Sequence, residues 1–411
     1  MHVAPTAAAS AAVPGRRPRL RARTDHAAVP GLIAAAVVIA EIAARVVILL
    51  RGNVSGLALI GNVYGHPAQL PAGVKVFHYA GYDGQFYYRM ARSPADLHWS
   101  ADGVTMDQWY RFVRIGYSAL AWLGSAGVPA AVPYALAAIN VLAVGAIGVL
   151  GGVAARESGR HALWGLLPAG YFGFATSVAR DLTEPLAAAC LLAGILAFRH
   201  RHPLLAAGLF AFGALTRETV LVAPFALAIT RLVALARASG PGRDRPGPDD
   251  LAWLVPGVVF AAWEVALKRA TGVFPILGDG GKNAGVPLRA GLRAIAHNFG
   301  HPAAPVPGAP GAVLIWDLEF GVLALVAVAA LVSLRPAAVP LYERAAFVLY
   351  LVEIWCLAPT NWDGYADLRS FTEVYLLATL ILLAAPRRLV WWAACAAPLF
   401  VTVAIYRTQI L

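Results

Sequence analysis

The sequence has few charged residues for its length. Only 13% of its 411 residues are Asp, Glu, Lys or Arg, whereas 59% are hydrophobic. A soluble globular protein carries roughly a quarter charged residues, so this composition excludes an ordinary soluble domain. So much apolar surface needs lipid as its solvent, and in lipid only helices and closed barrels satisfy the backbone hydrogen bonds.

Several other signals are missing. The long apolar runs are rich in Ala, Leu and Val and lack the period-2 alternation of barrel strands, which favours helices. Cys190, Cys356 and Cys395 lie far apart inside apolar runs, a placement typical of small core residues that predicts neither a disulfide nor a metal site. No phosphate-binding loop, dinucleotide fingerprint, zinc spacing or Ser-His-Asp pattern is evident, and no 20–50-residue repeat.

The apolar runs predict an all-α, polytopic transmembrane helix bundle. They lie near residues 29–50, 131–154, 161–178, 184–198, 203–216, 219–236, 251–267, 312–333, 345–358, 371–385 and 389–406. We therefore expect about eleven spans, several of them shorter than the roughly 20 residues that cross a bilayer. Residues 1–28 form a basic, Ala/Pro-rich segment predicted to be a disordered cytoplasmic tail, and residues 29–411 form the transmembrane domain.

Basic residues are concentrated in the loops that face the cytoplasm if the N-terminus is inside. Those loops carry 17 of the 33 Lys and Arg residues and six of the 22 acids, so their excess of 11 equals the net charge of the whole chain. The inner basic residues are Arg16, Arg17, Arg19, Arg21, Arg23, Arg156, Arg160, Arg199, Arg201, Arg231, Arg237, Arg243, Arg245, Arg335, Arg344, Arg387 and Arg388. Because cytoplasmic loops of membrane proteins are enriched in such residues, topology explains the charge and no nucleic-acid partner is expected.

This orientation leaves two long segments, 51–130 and 268–311, on the extracytoplasmic side. Neither is of low complexity, and loops of this length usually carry a function. The first is rich in aromatic and charged residues, whereas the second is rich in Gly and Pro and is expected to cover the bundle.

The first segment contains HYAGYDGQFYYRMA, residues 78–91, in which Asp83 precedes Gly84 and a helix-compatible run. An Asp at a helix start can cap it by accepting hydrogen bonds from backbone N–H groups. A carboxylate held just above the membrane can also take a proton from a substrate hydroxyl. The two interpretations are compatible.

Side chains next to Asp83 are candidates for contact with a sugar. Tyr82, Gln85 and Tyr88 could bind an acceptor or sugar ring. Aromatic side chains at this depth are equally typical of the membrane–water interface.

Three further motifs place ionisable residues at predicted outer ends of spans. They are YRFVRIGY (110–117), SVARDLTEP (177–185) and LTRETV (215–220), which supply Arg114, Arg180, Asp181, Glu184, Arg217 and Glu218. Each residue alone could be a snorkelling side chain, a helix cap or half of a salt bridge. Several of them on one face are more typical of a site that binds a phosphate and a sugar, because ionisable groups near membrane depth are costly.

A last motif, APTNWDGYADLRSFTE (358–373), echoes the first. Its Trp362-Asp363 pair stands before a glycine as Tyr82-Asp83 does, and Arg369 follows. Turn formation explains Asp-Gly well, and an acceptor- or sugar-binding role for these residues is the alternative.

An enzyme that builds glycans on the outer face has no supply of nucleotide sugars and needs an activated donor already in the membrane. A polyprenyl-phosphate sugar meets this need, and its headgroup calls for arginines at the phosphate and a carboxylate base at the acceptor.

The motifs GYDGQFYYRMA, RIGYSALAWL, ARDLTEPLAAACLLAGILA and GALTRETVLVAPFAL resemble the GT-C superfamily of polyprenyl-phosphate-dependent membrane glycosyltransferases, in particular bacterial members that build cell-surface glycopolymers. The resemblance covers roughly residues 78–225 and implies a GT-C-like bundle in the bacterial plasma membrane. In that superfamily an Asp in the first outer loop is the usual base, and Asp83 matches it. Many members have paired acids there and Asp83 has no acidic neighbour, which leaves the need for a divalent cation open.

The resemblance implies inverting transfer from a polyprenyl-phosphate-linked donor to a glycan or lipid-linked acceptor. Asp83 would deprotonate the acceptor, while Arg217, Arg180 and Arg114 hold the leaving phosphate; no protein metal site is expected. The alternative is a transporter or flippase of a lipid-linked or anionic solute, which would show inverted repeats and interrupted helices. A non-catalytic assembly subunit is a third possibility.

Overall fold

The chain folds into a predominantly helical structure, described here from a computed structural model. The structure describes residues 25–237, 247–278, 280–304, 309–362 and 368–409. The tail predicted over residues 1–28 lies outside these ranges up to residue 24. At its end, the Asp25 carboxylate accepts a hydrogen bond of 2.7 Å from the Ala162 backbone N–H.

Helices account for most of the described residues. They are α1 (Ala28–Ile48), α2 (Gly84–Arg92), α3 (Ile115–Gly124), α4 (Val132–Glu157), α5 (Leu166–Ala169), α6 (Gly173–Val178), α7 (Glu184–Arg199), α8 (Pro203–Thr216), α9 (Val222–Arg237), α10 (Leu251–Thr271), α11 (Arg289–Gly300), α12 (Ala312–Ser333), α13 (Leu341–Trp355), α14 (Thr372–Leu383), α15 (Arg387–Val390) and α16 (Ala396–Arg407). Short 3-10 turns extend several of them, including Trp109–Arg114 before α3 and Glu218–Leu221 before α9.

Among the described residues, five helical stretches are long and apolar enough to cross a membrane. They are Ala28–Ile48, Pro129–Glu157, Glu218–Arg237, Pro248–Thr271 and Ala312–Ser333. The other predicted spans coincide with shorter helices, and the one at 161–178 is divided into a 3-10 turn, α5 and α6. The structure therefore supports five spans, and the count of eleven stays a prediction.

The first long segment between α1 and α4 is folded. It contains α2, α3 and two very small sheets, in which β1 (Ile60–Gly61) pairs with β2 (Val76–Phe77) in parallel and β3 (Ser100–Ala101) pairs with β4 (Val104–Thr105) antiparallel. These strands are the departure from the all-α prediction. Most of α2 is buried, so this segment has a core continuous with that of the bundle.

Small residues allow close packing of α1 on α4. A Cβ placed at Gly31 would lie 2.4 Å from Val149 Cγ2 and 2.7 Å from the Gly145 carbonyl oxygen, and one at Gly148 would lie 2.8 Å from Gly31 Cα. Such close backbone approach is typical of helix pairs in membranes, where packing replaces the hydrophobic effect as the driving force.

Two separate groups of ion pairs lie at the two ends of the bundle. At the predicted inner end, Arg199 pairs with Glu343 and with Glu157, which also contacts His200. Asp83, Glu184 and Glu218 take part in ion pairs at the predicted outer end. The assignment of these two ends to the inner and outer sides of the membrane stays a prediction.

Candidate functional site

A cavity of about 480 Å³ opens at the end of the bundle that carries the sequence motifs. Its walls come from the first long segment, the starts of α7 and α9, the end of α13 and the turn before α14. The ionisable side chains that line it are Asp83, Arg111, Arg114, Glu184, Arg217, Glu218, Glu353 and Arg369. Ile276, Asn283 and Ala284 border it from the Gly/Pro-rich segment, which therefore covers part of the site.

Asp83 lies immediately before α2, but its side chain makes no capping hydrogen bond, so capping does not explain it. Its Oδ1 lies 3.0 Å from Arg111 Nη2, and its Oδ2 accepts a hydrogen bond of 2.9 Å from Arg369 Nη2. Burial by itself would raise the pKa of Asp83, yet the positive charges of Arg111 and Arg369 hold it well below its usual value.

The glycines around Asp83 are required by the close approach of other backbone segments. Gly81 has φ of +79°, a conformation that residues with a Cβ rarely adopt. A Cβ at Gly84 would lie 2.2 Å from the Arg180 carbonyl oxygen, far inside van der Waals contact. The sequence Gly-Tyr-Asp-Gly thus lets the Asp83 loop pack directly against the loop before α7.

The motifs at 110–117 and 215–220 meet in space. Arg114 donates from Nε and Nη2 to the two carboxylate oxygens of Glu218, at 2.9 and 2.7 Å, and the Tyr110 hydroxyl also donates to Glu218. A Cβ at Gly116 would lie 2.6 Å from Thr216 Oγ1, so the glycine lets the two segments come together. Burial lowers the pKa of Arg114, but the Glu218 charge outweighs it and raises this pKa well above its usual value.

Glu184, at the start of α7, joins two further arginines. Its Oε1 accepts hydrogen bonds of 2.6 Å from both Arg217 Nη1 and Arg369 Nη1. Arg369 therefore bridges Glu184 and Asp83, and Arg217 Nε lies 3.7 Å from Glu373 Oε1. A connected network of charges results from segments that are far apart in the sequence.

Two predicted phosphate or sugar ligands lie outside the cavity lining. The Arg180 guanidinium stacks 4.2 Å from the centre of the Tyr82 ring, and Arg369 lies 5.3 Å from the same ring. Asp181 is fully buried at φ of +49°, and neither of its carboxylate oxygens has a hydrogen-bond partner. In this conformation both residues contact protein rather than the cavity.

Among the described residues, the predicted sugar-contact residues other than Arg369 also lie outside the lining. Gln85 accepts a hydrogen bond of 3.1 Å from the Gly61 N–H and donates one of 3.0 Å to the Ala80 carbonyl oxygen. Tyr88 is buried within the first segment. Gln85 and Tyr88 therefore have packing roles, because both side chains contact other groups of the first long segment rather than the cavity.

Trp362 is likewise buried, in an aromatic cluster with Trp355 and Phe371 at ring-centre distances of 5.2 and 4.9 Å. Tyr82 is only partly buried and is engaged with the two arginines described above. Asp363 lies outside the described residues.

The cavity also contains ionisable residues that were not among the candidates. Arg111 is held by Asp107 through bonds of 2.9 and 2.8 Å and by Asp83. Glu353 stands in the last turn of α13, whereas Glu373, in the first turn of α14, is not part of the lining and lies 3.7 Å from Arg217 Nε. Arg111 stands in the same motif as Arg114, and both have the same two interpretations from the sequence, snorkelling or phosphate binding. For Glu353 the sequence predicts buried pairing with an arginine, which is not seen among the described residues.

The described residues contain no clear set of metal ligands. In the described part of the chain, no three His, Cys, Asp or Glu side chains are grouped as metal ligands would be. The carboxylates of Asp83, Glu184 and Glu218 are engaged by guanidinium groups instead. A requirement for a divalent cation therefore stays an open prediction.

No protein-family model, curated protein or solved structure matches the chain. The resemblance to the GT-C superfamily thus rests on the sequence motifs alone. What the geometry adds is a cavity in which four arginines converge on carboxylates at one end of apolar helices.

Proposed function

We propose that the protein is a membrane glycosyltransferase. It would move a sugar from a polyprenyl-phosphate donor to a glycan or lipid-linked acceptor on the extracytoplasmic face of the bacterial plasma membrane. The observation that carries this proposal is the convergence of Arg111, Arg114, Arg217 and Arg369 on one cavity at the predicted outer end of the helices.

Paired arginines suit a phosphate that arrives by way of the membrane. A guanidinium presents a planar fork of donors to phosphate oxygens, and such charge-assisted bonds are among the strongest in proteins. The carboxylates of Asp83 and Glu184 occupy the fork of Arg369. A phosphate would compete with these carboxylates for Arg369 and Arg111, and until it binds the carboxylates would hold the two guanidinium groups in place.

The dimensions of the cavity fit the headgroup of such a donor. Its volume of about 480 Å³ lies in the range of small-ligand pockets, which run from about 300 to 1,000 Å³. A phosphate and one sugar fit such a space, and the polyprenyl chain would stay in lipid alongside the helices.

The role of Asp83 as catalytic base, implied by the family resemblance, depends on those same arginines. Two guanidinium groups stabilise its charged form and keep its pKa low, and a carboxylate of low pKa is a weak proton acceptor. Asp83 can act as the base only when donor binding draws Arg111 and Arg369 away.

The direct test is transfer by purified protein in lipid nanodiscs, with radiolabelled polyprenyl-phosphate hexoses and pentoses and an envelope glycan extract as acceptor. We expect labelled acceptor to form and polyprenyl phosphate to inhibit competitively. Absence of both transfer and donor binding across these donors would refute the proposal.

The proposed orientation has its own test. Single cysteines at Val63, which is 59% exposed in the first long segment, and at Arg201, whose side chain is 85% exposed at the opposite end, can be compared in a cysteine-free background. A membrane-impermeant maleimide should label Val63→Cys in intact cells and Arg201→Cys only after lysis. The reverse pattern would invert the topology.

Transport is the second candidate, and buried charges inside apolar helices favour it. Glu41 and Arg45 in α1, Glu319 in α12 and Arg407 in α16 are all buried, and such residues often mark transport pathways. A second cavity of about 520 Å³ lies at the predicted inner end, beside Arg231. Protein-dependent movement of a fluorescent polyprenyl-phosphate sugar across liposomes, without sugar transfer, would favour this function.

A further inference from the structure

Glu353 differs from the other acids that line the cavity. Asp83, Glu184 and Glu218 each accept hydrogen bonds from arginine. The half-buried side chain of Glu353, at the end of α13, has neither a hydrogen-bond nor an ion-pair partner among the described residues. Among the described acids that line the cavity, it is the one that has no hydrogen bond or ion pair with a guanidinium group.

Glu353 and Asp83 differ in the positive charge that is bonded to them. An adjacent positive charge stabilises a carboxylate and weakens it as a base, whereas adjacent negative charge and burial do the opposite. Glu353 forms no ion pair among the described residues and lines the cavity together with Glu218. Asp83, held by two arginines, is in the opposite situation.

We propose that Glu353, rather than Asp83, accepts the proton of the acceptor hydroxyl, and that Asp83 positions the phosphate-binding arginines. This inference rests on the proposed glycosyltransferase function and assigns one step within it. It also accounts for the presence of a carboxyl group at the end of an apolar helix, where an unpaired ionisable side chain is costly to maintain.

The step balances as follows. The acceptor O–H bond breaks, its proton passes to a Glu353 carboxylate oxygen, and the acceptor oxygen forms a bond to the anomeric carbon. The bond from that carbon to the donor phosphate oxygen breaks, and its electron pair stays on the phosphate. The additional negative charge on the phosphate is stabilised by Arg369, Arg217 and their neighbours.

The experiment compares Glu353→Gln, Glu353→Ala and Asp83→Asn in the transfer assay, with donor affinity and thermal unfolding measured in parallel. Glu157→Gln is the matched control, because it makes the same chemical change in an ion pair at the predicted inner end. We expect Glu353→Gln to lose roughly 100-fold or more in turnover, as for removal of a general base, with donor Kd changed less than twofold. Formate, a small carboxylate that can enter the open cavity, should restore part of the activity of Glu353→Ala.

Asp83→Asn should show a different pattern, in which donor Kd changes and turnover at saturating donor falls less than in Glu353→Gln. Near-normal turnover of folded Glu353→Gln would overturn the assignment. So would a Glu353→Ala variant that formate does not rescue and whose donor Kd is changed. Either result leaves the glycosyltransferase proposal standing. If the wild-type protein transfers no sugar, the function and the assignment fall together.

Discussion

The two ends of the bundle both carry networks of arginine and carboxylate, but the networks differ in what surrounds them. At the predicted inner end, Arg199 contacts Glu343 at the start of α13 and Glu157 at the end of α4, so the pairs tie helix ends together. At the predicted outer end, Arg369 makes the same number of carboxylate contacts, to Asp83 and Glu184, and lines an open cavity. Ion pairs alone therefore do not indicate a site. Arg369 and its carboxylate partners line a cavity, whereas Arg199, Glu343 and Glu157 are not among the residues that line the cavity at the predicted inner end.

The largest expected effect comes from removing the bridging arginine at each end. Arg369→Ala should lower turnover about 100- to 1,000-fold, because it removes a donor that stabilises charge on the leaving phosphate. Arg199 has an equivalent pair of carboxylate partners, so Arg199→Ala should lower the unfolding temperature, while the folded fraction keeps normal turnover. Transfer assays and thermal unfolding of both variants check this; equal loss of turnover in the two would remove the distinction between the ends.

Replacement without loss of charge gives a sharper test. Arg217→Lys keeps the positive charge near Glu184 but loses the planar pair of donors. We expect donor affinity to fall by about 1.5–3 kcal/mol, the contribution of one charge-assisted hydrogen bond. Donor binding by isothermal titration provides the measurement, and Arg201→Lys, at an exposed ion pair of the predicted inner end, is the control. Unchanged affinity in Arg217→Lys would exclude Arg217 from the phosphate site.

Backbone packing at the site can be tested through glycine. Gly84→Ala forces a Cβ to within 2.2 Å of the Arg180 carbonyl oxygen and should destabilise the fold by about 1–3 kcal/mol while displacing Asp83. Gly208→Ala, in α8, meets no atom within 4 Å and should stabilise slightly, because alanine is the better helix former. Thermal unfolding and transfer assays would show whether the two variants diverge as expected.

Much of this arrangement could be predicted from the sequence, for identifiable reasons. Long apolar runs locate helices, and the loop charges grouped Asp83, Glu184, Glu218 and Arg369 at one end, where the structure brings them together. Local sequence could not tell that Arg180 would turn toward Tyr82, or that Asp181 would be buried, because both depend on packing between distant segments. The position of Glu353 in an apolar run predicts buried pairing with an arginine, but the structure shows no such pair among the described residues, because the arginines of the cavity contact other carboxylates.

The smallest expected effect compares two buried tyrosines that each make two hydrogen bonds. The Tyr110 hydroxyl donates to Glu218 and accepts a bond of 2.9 Å from Arg114 Nη2 on the cavity wall. The Tyr117 hydroxyl donates to the Leu136 carbonyl oxygen and accepts from Asn140 Nδ2, each at 3.0 Å, within the helix packing.

Removing a hydroxyl costs about 0.5–1.5 kcal/mol per hydrogen bond. The loss appears in folding stability or in donor affinity, according to which of the two depends on that hydrogen bond. Tyr117→Phe should therefore lower the unfolding temperature and leave donor affinity unchanged. Tyr110→Phe should weaken donor binding about two- to tenfold, because Arg114 and Glu218 lose the group that fixes their geometry. Measured donor affinities that change alike in the two variants would mean that the Arg114–Glu218 pair acts only in folding, like the ion pairs of the opposite end.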